Sequence, residues 1–393
     1  MKQKKHILII SPFFYPEPIS TGKFNTDFAL ELVKSGHSIT VLCFHPLYPG
    51  WKVKPTNQKL EPINIIRGGK HLKFPKNNIL KRLVLEISYT FFVFRKIVRY
   101  QKNIDIIIPI FPPSLAFYSI LPFLPKKVQK VGMVHDLQEV YSLGKAGFLH
   151  KIVRFFIHGI EKKCYQQCDR ILFLSKEMKN EAKRLYNLRP DKLLIQYPFI
   201  NILNIITNDL DSILKSNKIN IVYSGALGEK QNPADLYRFF DQASKKIENT
   251  VFHFFSQGEI FNDLKNANKN SEIYFHPLVK KENLSELYKK SDVQIIPQKV
   301  NSSKGSLPSK LPNLLYSGCK LLLITDPGSE IETLFEENNI HFTINSWDLE
   351  LLVESLEKAI QTKIDEKHQK DFAQKFFSKE QMVKKVLNKV ISC

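Results

Sequence analysis

The sequence predicts an α/β fold made of two doubly wound, Rossmann-like domains followed by a helical tail. Short runs rich in β-branched residues alternate with longer amphipathic stretches, which is typical of parallel βαβ units. This alternation stops in a polar stretch at 201–218 and then starts again. With 393 residues, the chain is also longer than one typical hydrophobic core requires. We therefore expect a first domain at 1–200, a linker at 201–218, a second domain at 219–346 and C-terminal helices at 347–393.

The first domain is predicted to contain seven strands. A helix at 22–35 follows the first strand and ends before Gly36, because glycine readily adopts the left-handed conformation that closes many helices. The predicted strands are 6–11, 39–44, 64–67, 104–109, 130–134, 170–174 and 192–196.

The run 106–125 is uncharged, mostly apolar and long enough to span a bilayer as a helix. Five prolines lie within it, however, and each would interrupt a spanning helix. We interpret the run as a buried strand, a Pro-Pro turn and a short helix.

The second domain repeats the pattern with strands at 219–224, 251–256, 272–275, 293–297, 320–325 and 340–344. Ligands of open α/β sheets bind outside the carboxyl ends of the strands. Two such domains are expected to face each other across a cleft with these ends toward it.

The net charge of +20 is carried by residues 1–200, because residues 201–393 are neutral overall. Such an excess attracts polyanions. An anionic membrane surface or an anionic substrate is favoured over nucleic acid, since no nucleic-acid-binding motif accompanies the charge. General solubility is the alternative explanation of the charge.

Two basic, aromatic-rich segments, 70–99 and 145–163, are candidates for contact with a membrane surface. The apolar residues of the second segment have the helical spacing of an interfacial helix. A core helix with a solvated basic face fits the second segment as well.

The five cysteines form no disulfide pattern, and the N-terminus shows no signal peptide, so a reducing cytoplasm is expected. Cys164 and Cys168 are one helical turn apart, but no second pair at zinc spacing accompanies them. We predict no metal site.

Three loops are candidates for phosphate contacts. The first runs from Ser11 to Gly22 and delivers a glycine to a helix N-terminus, although it is neither a dinucleotide fingerprint nor a Walker A loop. The second, after the strand at 219–224, contains Gly225, Gly228 and Lys230, and a cation there would offset the charge of a departing diphosphate.

The third loop contains Ser306, Ser309 and Lys310 and precedes a short helix, for which Ser309 is the expected N-cap. An ordinary turn rich in glycine and proline fits the same residues.

His135 and Asp136 follow the strand at 130–134, where either could act as a general base or bind a sugar hydroxyl. A lone His-Asp pair of this kind more often has a structural role.

Together these segments resemble glycosyltransferase family 4, the retaining GT-B enzymes, and within it the branch for colanic-acid and O-antigen assembly. The similarity spans nearly the whole chain. Its motifs are Tyr15-Pro-Glu-Pro-Ile-Ser-Thr-Gly-Lys, His45-Pro-Leu-Tyr-Pro-Gly-Trp, Tyr223-Ser-Gly-Ala-Leu-Gly-Glu-Lys-Gln, Ile296-Pro-Gln, Leu307-Pro-Ser-Lys-Leu and Thr325-Asp-Pro-Gly-Ser-Glu.

The resemblance implies a nucleotide sugar held by the second domain, an acceptor held by the first, and retention of anomeric configuration without a required metal or other cofactor. By the same resemblance, Lys230 matches the diphosphate-binding lysine and Gly22 the glycine of the loop that faces the diphosphate. His135 and Asp136 fall where the family has polar residues near the donor sugar.

The chain also departs from the family pattern. Ala226 stands where an arginine is usual, and Ser302 and Lys310 stand where the family has paired glutamates. Glu330 is a candidate substitute for the contacts of those glutamates with the ribose or the sugar hydroxyls.

The sequence thus predicts a glycosyltransferase at the cytoplasmic face of a membrane, with a nucleotide sugar as donor and a lipid-linked saccharide as acceptor. Two alternatives use the same architecture. One is a nucleotide-sugar epimerase, which needs carboxylates and histidines lining the cleft. The other is a non-catalytic membrane- or polysaccharide-binding relative, which the missing glutamates favour.

Overall fold

The apolar runs of the sequence form thirteen strands in the described part of the chain, arranged in two all-parallel sheets. A computed structural model describes residues 4–48, 50–100, 103–138, 148–203, 205–303, 307–340 and 342–386. The chain divides into a first unit, Met1–Tyr197 with Met382–Cys393, and a second unit, Pro198–Gln381. Each unit contains one sheet and its own hydrophobic core.

The sheet of the first unit has the order β3-β2-β1-β4-β5-β6-β7. The order reverses between β1 and β4, and the residues of β4 are buried throughout, as expected for a central strand covered by helices on both faces. Its strands are β1 His6–Ile10, β2 Ser38–Phe44, β3 Asn64–Gly68, β4 Ile106–Phe111, β5 Gln129–Val134, β6 Arg170–Phe173 and β7 Leu193–Ile195.

Helices connect these strands in the manner of a doubly wound fold. The buried Tyr89 of the second helix donates its hydroxyl to the carbonyl oxygen of Leu42 at 2.7 Å, which fixes this helix against β2. The helices are α1 Ser20–Lys34, α2 Asn78–Tyr100, α3 Leu115–Ile120, α4 Phe148–Gln167 and α5 Lys176–Tyr186.

The second sheet has the order β10-β9-β8-β11-β12-β13, which is the same doubly wound arrangement with six strands. Its switch point lies between β8 and β11, where the order of the strands reverses. The strands are β8 Ile219–Ser224, β9 Thr250–Phe255, β10 Ile273–His276, β11 Val293–Pro297, β12 Leu321–Ile324 and β13 Phe342–Ile344.

Eight helices follow from the same alternation in the described residues after 218. Helix α6 has a proline at its first position, and α9 has one at its second position. Both are compatible with a helix, because the N–H groups of the first turn have no partner within the helix. The helices are α6 Pro233–Lys246, α7 Glu259–Ala267, α8 Leu284–Lys290, α9 Leu311–Tyr316, α10 Glu330–Glu337, α11 Leu349–Gln361, α12 Glu366–Phe377 and α13 Lys379–Val386.

The predicted fold class, two doubly wound α/β sheets with C-terminal helices, is confirmed. One strand was placed wrongly: β4 spans Ile106–Phe111 rather than 104–109. Pro109 does not end the strand, because Ile110 and Phe111 continue the pairing with β5 beyond it. The strand ends instead where Pro112 and Pro113 follow.

The run 106–125 therefore forms a buried strand, a Pro-Pro turn and the short helix α3, as predicted. No helix within the described ranges is long and apolar enough to cross a membrane.

The stretch 201–218 is attached to the second unit. The buried carboxylate of Glu286 accepts hydrogen bonds from the backbone N–H groups of Asp209 and Leu210 at 3.1 and 3.0 Å, and from the hydroxyl of Thr207 at 2.5 Å. Leu210 and Leu214 are buried as well. This stretch is thus anchored to helix α8 before the second sheet begins.

Candidate active site

The switch point of the second sheet is open at its carboxyl end. Strands β8 and β11 pair only through Ile221 with Val293 and Val222 with Gln294, and the ladder does not continue beyond them. Parallel sheets of this order bind ligands where neighbouring strands diverge in this way. The residues that follow β8, β9, β11 and β12 therefore form the candidate donor site of the second unit.

Lys310 bridges the two diverging strands. Its ammonium donates to the carbonyl oxygen of Ser224 at 3.0 Å and to that of Ile295 at 3.4 Å, and it lies 4.4 Å from the ring centroid of Tyr223. Burial lowers the pKa of Lys310 to about 7. The side chain thus satisfies strand carbonyls that the ladder leaves without their usual partners.

The expected N-cap of α9 is corrected by the structure. Lys310, and not Ser309, occupies the N-cap position, and Ser309 is exposed in the preceding turn. The reason is that Pro312 is accepted at the second helical position, so the helix begins at Leu311. Ser306 lies outside the described residues.

The loop after β8 is held by its own hydrogen bonds. Gly225, with a φ of 134°, donates its N–H to the carbonyl oxygen of Phe255 at 3.0 Å, and Gly228 donates to the Gln231 side chain at 3.0 Å. In this structure both amides predicted to meet a phosphate are used within the protein.

Lys230 lies half-buried in a short 3₁₀ turn, Glu229–Gln231, of this loop. Its carbonyl oxygen accepts the N–H of Lys299 at 2.8 Å, which ties the loop after β8 to the segment after β11. The structure thus brings Lys230 to the switch point, on the same side of the sheet as the carboxyl end of β8.

Asp326 organises the segment that leads to the predicted third loop. Its carboxylate accepts the N–H groups of Asn301 and Ser303 at 2.7 and 3.2 Å. Glu330, the candidate substitute for the missing glutamates, is buried at the first position of α10, next to the N-cap Ser329. Both acidic residues therefore lie just beyond the carboxyl end of β12.

A row of buried polar side chains lines the same end of the sheet. Gln298 follows β11 and its side-chain oxygen accepts the hydroxyl of Thr325 at 2.7 Å. Ser224 donates to the side chain of Gln294 at 3.1 Å. Ser256, at the end of β9, is fully buried, and its hydroxyl has no hydrogen-bond partner within the described part of the chain.

In the first unit, Glu17 joins the two motifs that follow β1 and β2. Its buried carboxylate accepts the N–H of Leu47 at 2.9 Å and that of Tyr48 at 3.1 Å. Burial raises the pKa of Glu17 to about 6, against the effect of these hydrogen bonds. Sequence analysis did not single out Glu17, although it lies within the first quoted motif.

The glycine at position 22 is explained by its close approach to the backbone and Cβ of Glu17. A methyl group at this position would lie 2.9 Å from Cβ and 3.0 Å from the carbonyl oxygen of Glu17. Gly22 is the third residue of α1, because the helix begins at Ser20, two residues before its predicted start at residue 22. The glycine thus lets the loop after β1 fold back onto the helix.

His135 and Asp136 follow β5 at the carboxyl end of the first sheet. The imidazole of His135 packs edge-on against the ring of Phe24, with centroids 4.9 Å apart, and burial lowers its pKa to about 4. Its Nε2 atom is buried and has no hydrogen-bond partner among the described residues. A neutral ring nitrogen is thus available to a ligand hydroxyl. Asp136 is half-buried beside it.

Known proteins match this chain at the levels of family, sequence and fold. The model of Glycosyltransferase Family 4 matches residues 21–202. The colanic acid biosynthesis glycosyl transferase WcaI of Escherichia coli K12 is 23% identical over 413 residues, covering 98% of this chain and 99% of WcaI.

Solved structures agree in fold. Sucrose-phosphate synthase from Thermosynechococcus elongatus superposes with a TM-score of 0.76 at 13% identity, covering 97% of this chain and 96% of its own. Anabaena HepE in complex with UDP-glucose gives a TM-score of 0.69 at 11% identity, covering 99% and 100%.

Two doubly wound sheets, each with polar loops at its carboxyl end, give this molecule the GT-B fold. The resemblance to family 4 is thereby confirmed, because residues 21–202 match the model of that family and the similarity to WcaI spans nearly the whole chain. These matches support a glycosyltransferase activity.

Proposed function

We propose that this enzyme transfers a sugar from a nucleotide-diphosphate sugar to a lipid-linked saccharide in the synthesis of a capsule, O-antigen or exopolysaccharide, with retention of anomeric configuration. The observation that carries the proposal is the open switch point between β8 and β11, to which the loops place Lys230 and Gln298. Support for the substrate class comes from the similarity to WcaI along the full chain and from the fold shared with HepE.

Lys230 is the cation that stabilises the leaving nucleotide diphosphate. Preorganised positive charge near a departing group lowers the barrier, because the charge develops only as the bond breaks. Lys310 supports this site from within by holding the ends of β8 and β11, and Ser306 and Ser309 complete the donor loop. Because lysine supplies the charge, neither a metal nor another cofactor is needed.

Glu330 binds a hydroxyl of the ribose or of the donor sugar. The usual glutamates are replaced by Ser302 and Lys310, whereas Glu330 is a carboxylate at the carboxyl end of β12. In the first unit, His135 and Asp136 orient the donor sugar or the acceptor hydroxyl, and Gly22 keeps the loop after β1 close to α1. The departing diphosphate accepts the proton of the acceptor.

The reaction takes place at the cytoplasmic surface of the membrane, where a lipid-linked acceptor is anchored. The four described cysteines, Cys43, Cys164, Cys168 and Cys319, are free thiols, which accords with a reducing compartment.

Thermal unfolding of the purified protein with UDP-, GDP-, dTDP- and ADP-sugars and the free nucleotides tests the donor site. A ligand that binds only the folded state raises the melting temperature. We expect one nucleotide to do so, and Lys230→Ala to reduce the shift strongly. Lys363→Ala, at an exposed lysine between α11 and α12, is the matched control and should keep it.

Transfer itself is measured with the selected nucleotide sugar and membrane-extracted lipid-linked saccharides, and the anomeric configuration of the product is read by NMR. Product of the opposite configuration would rule out the retaining mechanism. Absence of binding by every nucleotide, with Lys230→Ala indistinguishable from the wild type, would overturn the assigned donor site.

A further inference from the structure

Helix α2 has two apolar faces, only one of which is covered. The inner face packs on the first sheet through Leu85, Tyr89, Val93 and Ile97, none of which is more than 7% exposed. The outer face holds six large apolar side chains that are 39–62% exposed: Leu80, Leu83, Ile87, Phe91, Phe94 and Val98.

The outer residues form one continuous stripe. They recur every three or four positions, so they lie along the same side of a helix of 23 residues, which is about 35 Å long. Phe123 extends the stripe, because its ring lies 5.3 Å from that of Phe94 and is 51% exposed. Contiguous apolar surface of this size marks an interaction site, unlike scattered exposed residues.

The charges on α2 are almost all positive. It carries five Lys or Arg residues and a single acid, Glu86. Glu86 lies away from the stripe, where it accepts a hydrogen bond from Gln138, and burial raises its pKa to about 7. The exposed apolar stripe is therefore accompanied by an excess of cations at both ends of the helix.

A cavity of about 520 Å³ adjoins the stripe. Its walls include the rings of Phe44, Phe91 and Phe92, and it is lined by the cations Arg67, Arg95 and Lys96. Arg67 donates to the carbonyl oxygen of Tyr15 at 2.8 Å, but its buried Nε has no hydrogen-bond partner within the described residues. Three cations together with aromatic rings in one cavity suit a group that is both anionic and attached to an apolar chain.

We propose that the outer face of α2 docks on an anionic membrane and that a lipid phosphate enters the cavity between Arg67, Arg95 and Lys96. The stripe would lie in the interface parallel to the membrane, which needs no spanning helix. Anionic lipids would be attracted by the basic residues near its ends.

A second copy of the chain is a poorer occupant of this surface. In a symmetric dimer the same patch faces itself, so basic residues near the ends of α2 in one copy would meet basic residues of the other copy. Like charges in such a contact repel one another. An anionic bilayer satisfies both the apolar stripe and the cations.

The proposal deepens the proposed function, because it brings the first unit to the membrane that carries the acceptor lipid. It rests on the proposed function only for the reason why the enzyme would bind a membrane. Vesicle binding requires no donor, so loss of nucleotide binding in Lys230→Ala would not contradict the membrane proposal. Loss of vesicle binding, in turn, would not contradict the assigned donor site.

Co-sedimentation of the full chain with vesicles tests the apolar stripe. We expect binding to phosphatidylcholine vesicles that contain phosphatidylglycerol, and weaker binding to phosphatidylcholine alone. Replacing Ile87 and Phe91 together by Ser should weaken binding on the order of tenfold, because two exposed apolar groups no longer insert. Val300→Ser with Leu351→Ser, which removes exposed apolar groups of the second unit, is the matched control.

The cavity is tested by Arg95→Gln with Lys96→Gln. This variant should lose the preference for phosphatidylglycerol, a decrease on the order of tenfold, whereas Lys363→Gln with Lys367→Gln should keep it. Circular dichroism establishes that each variant folds. Both pairs remove two charges, so a general charge effect would lower binding equally and overturn the assignment of the cavity.

Two further results would also contradict the proposal. If inorganic phosphate stabilises the wild type but not the Arg95/Lys96 variant, while vesicles fail to bind, the cavity is a free-anion site. If analytical ultracentrifugation shows a dimer that the Ile87/Phe91 variant dissociates, and vesicles again fail to bind, the stripe is an interface between copies of this chain.

Discussion

The ammonium of Lys310 lies 3.0 Å from the carbonyl oxygen of Ser224, although the two residues are 86 positions apart. This contact closes the end of β8 toward β11 at the point where the ladder between them stops. A position where the family resemblance predicts a glutamate is here used to hold two strands. The proposed donor site is thus built on a lysine whose ammonium contacts buried strand ends.

Lys310→Met tests that role through the pH dependence of stability. Burial lowers the pKa of Lys310 from its ordinary value of 10.5 to about 7, so between these values the unfolded chain binds more protons than the folded chain. The wild type should therefore gain stability as pH rises from 7 to 10. Methionine does not titrate. Between pH 7 and 10, the free energy of unfolding of the wild type should therefore rise relative to that of the variant by roughly 2 kcal/mol, after solvent screening is allowed for.

The measurement is urea unfolding at pH 7, 8.5 and 10, with Lys363→Met as the control at an exposed position. A difference between Lys310→Met and the wild type that does not change with pH would mean that the ammonium is fully solvated.

Glu17→Gln should show a pH dependence in the acid range. The pKa of Glu17 is raised from 4.5 to about 6 by burial, so the folded chain binds more protons than the unfolded chain between these values. Wild-type stability attributable to this residue is present below pH 4.5 and is lost as pH rises through 6. Between pH 4.5 and 7, the free energy of unfolding of the variant should rise by about 1 kcal/mol relative to that of the wild type.

Urea unfolding over that range checks this expectation, and Glu61→Gln, which changes an exposed glutamate, should show no such gain. A gain of equal size in both variants would argue that the carboxylate of Glu17 is not desolvated.

Gly22→Ala should destabilise the first unit by about 1 to 3 kcal/mol, because the new methyl group would overlap the backbone and Cβ of Glu17. Alanine ordinarily stabilises a helix relative to glycine. Gly159→Ala is therefore a sharp control, since a Cβ there meets nothing within 4 Å in α4. Unfolding of both variants is compared with the wild type, and equal stabilisation of the two would refute the close contact.

His135→Phe separates a ligand role from a packing role. The ring fits against Phe24, and the variant removes a buried Nε2 that has no hydrogen-bond partner in the described residues, so stability should be kept or raised. If Nε2 binds a substrate hydroxyl, kcat/KM should fall on the order of tenfold. Unchanged transfer in a stable variant would assign His135 to packing alone.

NMR of the wild type tests the charge of the same imidazole. Because burial lowers the pKa of His135 to about 4, the ring should remain neutral from pH 5 to 8 and should not appear in the pH profile of transfer. A titration midpoint near 6.5 would show that the ring is exposed to solvent.

The positions of the strands followed from the sequence to within two residues in most cases, and β8 and β11 were predicted with their observed bounds. These strands are buried runs flanked by turns, so their pattern is local. Pro109 misled the prediction of β4, because a single missing donor did not stop the strand from pairing onward with β5.

The candidate site was predicted less completely. The loop around Lys230 was found because a glycine-rich turn after a strand is a local signal. The environment of Lys310 and the partners of Glu17 were not found, since each depends on groups that are 15 to 86 residues away. Likewise, the exposure of one face of α2 could not be separated from burial by periodicity, because both of its faces are apolar.

The sequence alone determined the fold class and the family resemblance, because alternating apolar runs and short motifs are properties of neighbouring residues. Only the tertiary structure decided which polar groups meet at the ends of the strands and which apolar side chains stay exposed. Those outcomes depend on how distant segments satisfy one another's hydrogen bonds and cover one another's surfaces. Lys310 is the clearest example, since its three described contacts, Ser224, Ile295 and Tyr223, all come from other strands or their ends.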